Sequence, residues 1–450
     1  MVIKRSRRIN SARTKSMNFR RLYRKTIPST RYFTHGIHKY TAKLIPHIPR
    51  YLIKKYTKKN DLILDPFCGS GTVLLEAILL SRNAIGIDLN PLAALISEAK
   101  ATPLDIDKLS LAIRLVKENV KKSDARANVE FPNLDYWFCK KAQNELSKIK
   151  GSIENLNGRF NKSIYRFLLV CFSSIIRKSS YADPRMAKTY KSKRVVEKIK
   201  KGWTPTPILY FEESLDRNFA AIKSLSKHLN TNSNYVKSFQ GDAREISTIL
   251  KQNGIEEVDL IITSPPYINA QDYFRSYKLE IWWLGLATPE EVRHLNKEAI
   301  GTECVSGIDY DSIPKSKSRI LNRVLREIWK NSEDIEKKEK IDEKTAKKKE
   351  KVNKKKVYVI HDYFEHIKSV FGDFYDILKI GGQFCLISGN NTICGVRIPT
   401  CKILTQAAEN NGFKLVEIGR DKIRNRSLAP DRNHDGGVIK EEWITTFQKG

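Results

Sequence analysis

A chain of 450 residues and 51.8 kDa is too long for one small domain, and with 40% hydrophobic residues it is too apolar for a disordered polyelectrolyte. The 82 Lys and Arg against 50 Asp and Glu give a net charge of +32, which points to an anionic polymer, most often nucleic acid, or to an anionic membrane surface. Seven cysteines, odd in number and without a C-x-x-C pair, argue against a disulfide framework or a structural zinc site, so a reducing cytoplasm is expected.

The first 60 residues hold 18 Lys or Arg and no acid before Asp61. Residues 1–30 read as a flexible basic arm closed by Pro28, with no signal-peptide core behind it. Residues 31–104 read as the first half of an α/β domain. A helix is expected from about Pro49 to Lys58, then a strand at Asp61–Asp65, a Gly-rich turn, a helix at Val73–Leu80 and a strand at Ala84–Asp88. Residues 105–234 switch to helical periodicity, at 107–122, 140–157, 162–178 and 213–229, with a turn at Pro205 and Pro207 before the last. This stretch is read as a helical insertion. Strands resume within residues 235–285, at Val236–Asp242 and Val258–Thr263. A second insertion, residues 286–357, contains a Lys/Glu-rich run at 331–356 that can only be a solvated helix or a disordered loop. Residues 358–450 add strands at Gly382–Ser388, Phe413–Ile418 and Glu442–Phe447. No apolar run reaches the roughly 18 residues of a membrane span.

Two motifs carry chemistry. Asp65-Pro66-Phe67-Cys68-Gly69-Ser70-Gly71-Thr72 follows a strand and opens a helix, so its glycines let the backbone approach a ligand while the helix start offers free N–H groups. It is not a phosphate loop, because no Gly-Lys-Ser/Thr follows. Asp88 ends the next strand, ahead of Asn90-Pro91, where a carboxylate accepts both hydroxyls of a ribose. Ribose binding without dinucleotide spacing suggests S-adenosylmethionine. The plainer reading, a Gly-rich turn, is weakened by Asp88. The second motif, Ser264-Pro265-Pro266-Tyr267, also follows an apolar strand. Two prolines rigidify the turn and remove two donors, so the Ser264 side chain and Pro265 carbonyl can accept hydrogen bonds from an amino group, and Tyr267 can stack on a base. Alone, it reads equally well as a rigid turn with a core tyrosine.

Together these motifs resemble the N4/N6 amino-group DNA methyltransferases, most closely the cytosine-N4 branch of restriction–modification enzymes. His38-Lys-Tyr40-Thr-Ala-Lys43-Leu-Ile-Pro46 is similar to the family's H-x-Y-P-A-K-F-x-P segment, with Thr41 and Leu44 departing from it. Asp272–Gly285 is similar to the helix after the catalytic loop, and Gly389-Asn390 and Lys422–Arg426 resemble parts of its C-terminal half. The likeness covers most of residues 31–449 except 331–356. It implies a class I S-adenosylmethionine-dependent methyltransferase fold, a Rossmann-like doubly wound sheet with an antiparallel closing strand, plus a helical insertion. Residues 31–104 then form the cofactor-binding half, 235–285 the catalytic half and 358–450 the end of the same domain. It also implies that His38, Tyr40, Lys43 and Asp242 join the cofactor residues, that no metal is used, and that Ser264 to Tyr267 transfer a methyl group to the exocyclic amine of a flipped-out base in double-stranded DNA. A restriction endonuclease is the implied partner. Ser264 favours cytosine N4 over adenine N6. The rivals are an RNA guanine-N2 methyltransferase and an inactive nucleic-acid-binding protein. The basic residues Lys188–Arg194 and Lys198–Lys201 of the helical insertion are candidates for DNA contact, as are the second insertion at 286–357 and Arg424 and Arg426.

Overall fold

The structure, a computed structural model, describes residues 14–27, 29–122, 124–186, 188–229, 234–268, 272–304, 311–334, 343–423 and 439–450. Pro28, Arg424, Arg426 and the start of the basic arm lie outside these residues. The chain begins with β1 (Thr14–Met17), α1 (Phe19–Leu22), α2 (His47–Tyr56), β2 (Leu62–Asp65), α3 (Thr72–Leu79), β3 (Asn83–Asp88) and α4 (Pro91–Ala101). Helices follow: α5 (Ile106–Lys122), α6 (Leu134–Trp137), α7 (Lys140–Glu154), α8 (Lys162–Ile176), α9 (Lys193–Lys200) and α10 (Pro207–Leu229). Next come β4 (Val236–Gln240), α11 (Ile246–Gln252), β5 (Val258–Thr263), α12 (Tyr273–Leu284), α13 (Pro289–Glu298), α14 (Arg319–Glu333) and a long helix at Glu343–Ile377. The chain closes with β6 (Leu378–Ser388), β7 (Asn391–Ile393), β8 (Val396–Ile398), a helix at Thr400–Asn410, β9 (Lys414–Lys422) and β10 (Glu441–Gln448). The fold is mixed α/β, as the sequence leads one to expect.

Two compact units form, one from Lys25–Ala243 and Asp272–Glu298, the other from Met1–Arg24, Arg244–Gln271 and Ala299–Gly450. In the first, β2 pairs in parallel with β3, and β3 in parallel with β4. β2 and β3 are almost continuously apolar and buried, as strands covered on both faces must be. Every residue of α3 is buried, Glu76 included. Asn90 caps α4 by accepting the Leu92 N–H at 3.0 Å, with Pro91 in the first turn, where its missing donor costs nothing. An extra helix, α9, precedes the break expected at Pro205 and Pro207; Pro205 lies in the irregular stretch between α9 and α10, and Pro207 opens α10. α12, grouped by sequence with the Ser264–Tyr267 loop, belongs to this unit.

In the second unit β5 pairs in parallel with β6, and β10 lies antiparallel between β6 and β9. That is the antiparallel closing strand. Phe371, Phe374, Phe384, Phe413 and Phe447 pack ring to ring over this sheet. The flexible-arm reading is corrected for the described part of residues 14–27. β1 pairs in parallel with β9, with Thr14 opposite Ile418, and Phe19 is fully buried. The density of Lys and Arg hid a four-residue strand too short to show alternation. The Lys/Glu-rich run divides between the end of α14 and the start of the long helix, where Glu343–Lys347 and Glu350–Lys354 pair one turn apart. The antiparallel hairpin of β7 and β8 has no signal in the sequence reading, since each strand is three residues long. Among the described residues no helix is long and apolar enough to cross a membrane.

Candidate active site

Parallel pairing sets the crevice of the first unit. Asp65 ends β2, Asp88 ends β3, and Asp242 lies two residues beyond the end of β4, so three carboxylates stand at the carboxyl ends of adjacent parallel strands. The Gly241 N–H donates to the Asp88 carbonyl at 3.0 Å, which holds the Asp242 turn against β3. This strand-end crevice is where open α/β sheets bind ligands.

The loop from Asp65 to Thr72 is built by close approach. Gly71 has φ +73°, and a Cβ there would lie 2.6 Å from Cα and Cβ of Ser97 on α4. Glycine is therefore required twice over, by backbone and by space. Gly69, at φ +50°, lies under the Tyr40 ring, and its N–H donates to Asp88 Oδ2 at 2.9 Å. The Asn90 N–H donates to Asp88 Oδ1 at 2.9 Å. Burial pushes the Asp88 carboxyl up to about 6, against the opposing pull of these two bonds. Asp65 accepts the Phe67 N–H at 3.2 Å, which closes the turn past Pro66. Cys68 donates its N–H to the Ile87 carbonyl and lies in the space left by Gly86, where a Cβ would meet its sulfur at 2.8 Å. Its thiol is within reach of the Ser97 and Ser238 hydroxyls, and burial raises its pKa well above the ordinary value, so it is a packing residue. Ser70 and Thr72 are buried, and Ser70 Oγ accepts from the buried Lys100 Nζ at 3.1 Å.

The His38–Lys43 segment wraps the loop. Tyr40 stacks on Tyr277 of α12 at 4.7 Å and lies 6.0 Å from Tyr273. Tyr277 is itself fixed by the Thr41 N–H, which donates to its hydroxyl at 2.7 Å. His38 turns inward. Its Nδ1 donates to the Lys39 carbonyl at 2.9 Å, so Nε2 accepts the Ser173 hydroxyl at 3.1 Å, and burial drives the ring down to about 3. Both nitrogens are engaged, which makes His38 a support for the segment. Lys43 donates to the His35 and His38 carbonyls, and burial lowers it to about 8.

Sequence reasoning missed the layer beneath. Glu76, buried on α3, binds the Tyr32 hydroxyl, His35 Nε2 at 2.8 Å and Arg50 at 3.0 Å. A glutamate inside an otherwise apolar helix was the available signal. Asn90 Nδ2 is buried and has no partner among the described residues, an amide donor left beside Asp88. The glycine cradle, the strand-end Asp88 and this spare donor fit a nucleoside ligand.

The other unit holds Ser264 to Tyr267, directly after β5. Pro265 is buried, and Ser264 is half-buried with no hydrogen-bond partner among the described residues. Ile268 anchors the end of the turn, its carbonyl accepting from the buried Asn391 Nδ2 of β7 at 3.1 Å. Asn391 was not foreseen, because nothing in sequence links it to a turn more than a hundred residues earlier. Among the described residues no cluster of His, Cys, Asp and Glu has metal-binding geometry.

A family profile described as DNA methylase matches residues 3–98. The type II methyltransferase M.BsoBI of Geobacillus stearothermophilus is 26% identical across 92% of this chain and 85% of its own length. The type II methyltransferase M.MvaI of Kocuria varians is 26% identical across 93% of this chain and 90% of its own. A tRNA (guanine(10)-N2)-dimethyltransferase of Methanocaldococcus jannaschii is 30% identical, but over only 26% of this chain and 30% of its own. The chain is thus similar to DNA methylases over residues 3–98 and to type II methyltransferases over most of its length.

Proposed function

We propose that this protein is a site-specific DNA methyltransferase of a restriction–modification system, using S-adenosylmethionine to methylate the exocyclic amine of cytosine at N4. The observation that carries the reading is a Ser-Pro-Pro-Tyr turn at the end of a buried parallel strand, its serine hydroxyl without a partner among the described residues. Full-length likeness to two type II methyltransferases supports the DNA substrate. A restriction endonuclease of the same specificity is the proposed companion.

Gly69, Gly71, Asp88 and Asn90 hold the cofactor's nucleoside, Asp88 accepting ribose hydroxyls and Asn90 Nδ2 donating to it. Asp242 and Tyr40 bound the same crevice, and Lys43 fixes the segment that carries Tyr40. When bound, the cofactor supplies an electrophilic methyl group. An exocyclic amine is a weak nucleophile, because its lone pair is delocalised into the ring. Ser264 Oγ and the Pro265 carbonyl accept its two hydrogens, favour a pyramidal nitrogen and stabilise the positive charge that grows during attack. Positioning and electrostatics suffice, and no covalent enzyme intermediate is required. The base must leave the helix at a cost of roughly a few kcal/mol, which stacking on Tyr267 offsets by about 1–3 kcal/mol.

Purified protein incubated with labelled cofactor and with duplex DNA or tRNA in parallel tests this. Nucleoside mass spectrometry should find N4-methylcytosine from DNA. N6-methyladenine would replace the base assignment, and N2-methylguanine from tRNA alone would overturn the DNA reading. The partial likeness to the tRNA enzyme makes that arm necessary.

A further inference from the structure

Residues 177–203 hold ten Lys or Arg and two acids. One of the two, Asp183, is completely buried, and it is ion-paired with Arg185 and Arg194 inside the loop. Its carboxylate collects donors from the basic residues around it. Arg185 gives its backbone N–H at 3.0 Å, Nε at 3.3 Å and Nη2 at 3.2 Å, Arg194 gives Nη2 at 3.2 Å, and the Ser192 hydroxyl donates at 2.6 Å. Burial alone would raise this carboxyl, but the donors outweigh it and hold the pKa below the ordinary aspartate value.

The loop is tied down at every side. The Asp183 N–H donates to the Tyr190 carbonyl at 2.7 Å, closing an eight-residue turn. Arg177 Nη2 donates to the Met186 and Lys188 carbonyls at 2.9 Å, and Lys39 Nζ donates to the Pro184 carbonyl at 2.7 Å. Yet Pro184, Arg185, Met186, Lys188 and Tyr190 are all exposed. Beyond the buried Ala182, Asp183 and Thr189, so much internal bonding secures little core. What it secures is a fixed presentation of cations and rings to solvent. Lys191 lies 4.7 Å from both the Tyr136 and Tyr181 rings, and the exposed Lys188, Lys193, Lys198, Lys200 and Lys201 have no carboxylate partner among the described residues. Holding like charges in one place costs free energy in the free protein, and an anionic partner with repeating charge recovers it.

We propose that the Asp183–Tyr190 loop and the start of α9 form a preorganised clamp for the phosphate backbone of duplex DNA, with the buried Asp183 carboxylate as its organising centre. The clamp is continuous with the wall of the cofactor crevice. Arg177 Nη1 and the Thr189 hydroxyl both donate to the Ser276 carbonyl of α12, the helix whose Tyr273 and Tyr277 support Tyr40. Lys39, which holds Pro184, directly precedes Tyr40. Phosphates gripped here are therefore held beside the crevice that binds the methyl donor. The inference rests on the DNA reading above and adds where the backbone is held.

The test is fluorescence anisotropy with a labelled duplex oligonucleotide across a salt series. Two variants of the full chain are compared with wild type: the triple change Lys188→Gln, Lys193→Gln, Lys198→Gln, and Asp183→Asn. Calorimetric binding of S-adenosylmethionine serves as the folding control. Each lost phosphate contact lowers the slope of log K against log salt by about 0.9, so the triple variant should lose about two to three units of slope and bind at least roughly tenfold more weakly at low salt. Asp183→Asn makes the protein more basic, so charge alone would tighten binding. Loss of the organising carboxylate should instead weaken it several-fold. A wild-type slope in the triple variant overturns the clamp while leaving the DNA reading intact. Equal or tighter binding by a folded Asp183→Asn protein removes Asp183 as organiser, and if that variant does not fold, the triple variant decides. Wild-type protein that binds structured RNA but not duplex DNA removes the DNA reading and the clamp together.

Discussion

Asp88 combines two demands that usually conflict. Both carboxylate oxygens are engaged by backbone N–H groups, which favour the charged form, yet burial wins and lifts the group to about 6. Its ionised form is the one proposed to accept ribose hydroxyls. Below pH 6 the crevice therefore acquires a proton and loses an acceptor, so calorimetric affinity for S-adenosylmethionine should weaken as pH falls from 7 to 5. In Asp88→Asn protein that pH dependence should disappear. Ser264 is proposed to act on the other quantity, turnover. Ser264→Ala should lower turnover by about 10²–10³ with cofactor affinity nearly unchanged, whereas Asp88→Ala should weaken the cofactor by roughly 1.5–3 kcal/mol. If both changes moved only cofactor binding, as read by calorimetry and single-turnover assays, the Ser264 assignment would fail.

The elements around the crevice leave no slack. Gly71→Ala places a methyl group 2.6 Å from Ser97 in a left-handed conformation. The backbone term is about 1–2 kcal/mol and the overpacking about 1–3 kcal/mol more. The variant should melt several degrees lower and lose cofactor binding, measured by thermal denaturation with and without S-adenosylmethionine. Both glycines were legible because a strand, a glycine pair and a helix occur in immediate succession. The strand β5 and the loop after it were legible because an apolar run ends at the Pro265-Pro266 pair, and β10 as a short apolar run near the C-terminus. Partners distant in sequence were not. Tyr273 and Tyr277 share a helix face at four-residue spacing, which reads as ordinary core until Tyr40 is seen against them. Glu76, Lys100 and Asn391 act through bonds to residues 26 to 123 positions away, which periodicity cannot reveal. β1 was hidden differently, by basic residues that made a strand look like a tail.

For the molecule as a whole, the charge of +32 separates into parts with different work. Residues 177–203 carry ten cations against two acids, and the buried Asp183 spends its charge inside. In the long helix Glu343–Ile377, Lys347, Lys354 and Lys368 instead meet acids three or four residues away, which offsets part of its charge locally. Salt should therefore weaken DNA binding chiefly through the first surface. Replacing Lys347 and Lys348 with Gln should leave the anisotropy slope within about half a unit of wild type, a contrast with the clamp variants in the same assay.

The pairing of β1 with β9 bears on how the chain can be handled. Without β1, β9 would present a row of unpaired N–H and C=O groups nine residues long, a template for another chain to add to. β1 covers that edge from Ile418 to Asp421 with a strand only four residues long that carries an exposed Lys15, poor material for further growth. Trimming the first 17 residues would look harmless in a sequence alignment, as the removal of a basic tail. The trimmed protein should instead associate at concentrations where the full chain stays monodisperse by light scattering, and substitution of Lys15 by Val should push the intact chain in the same direction.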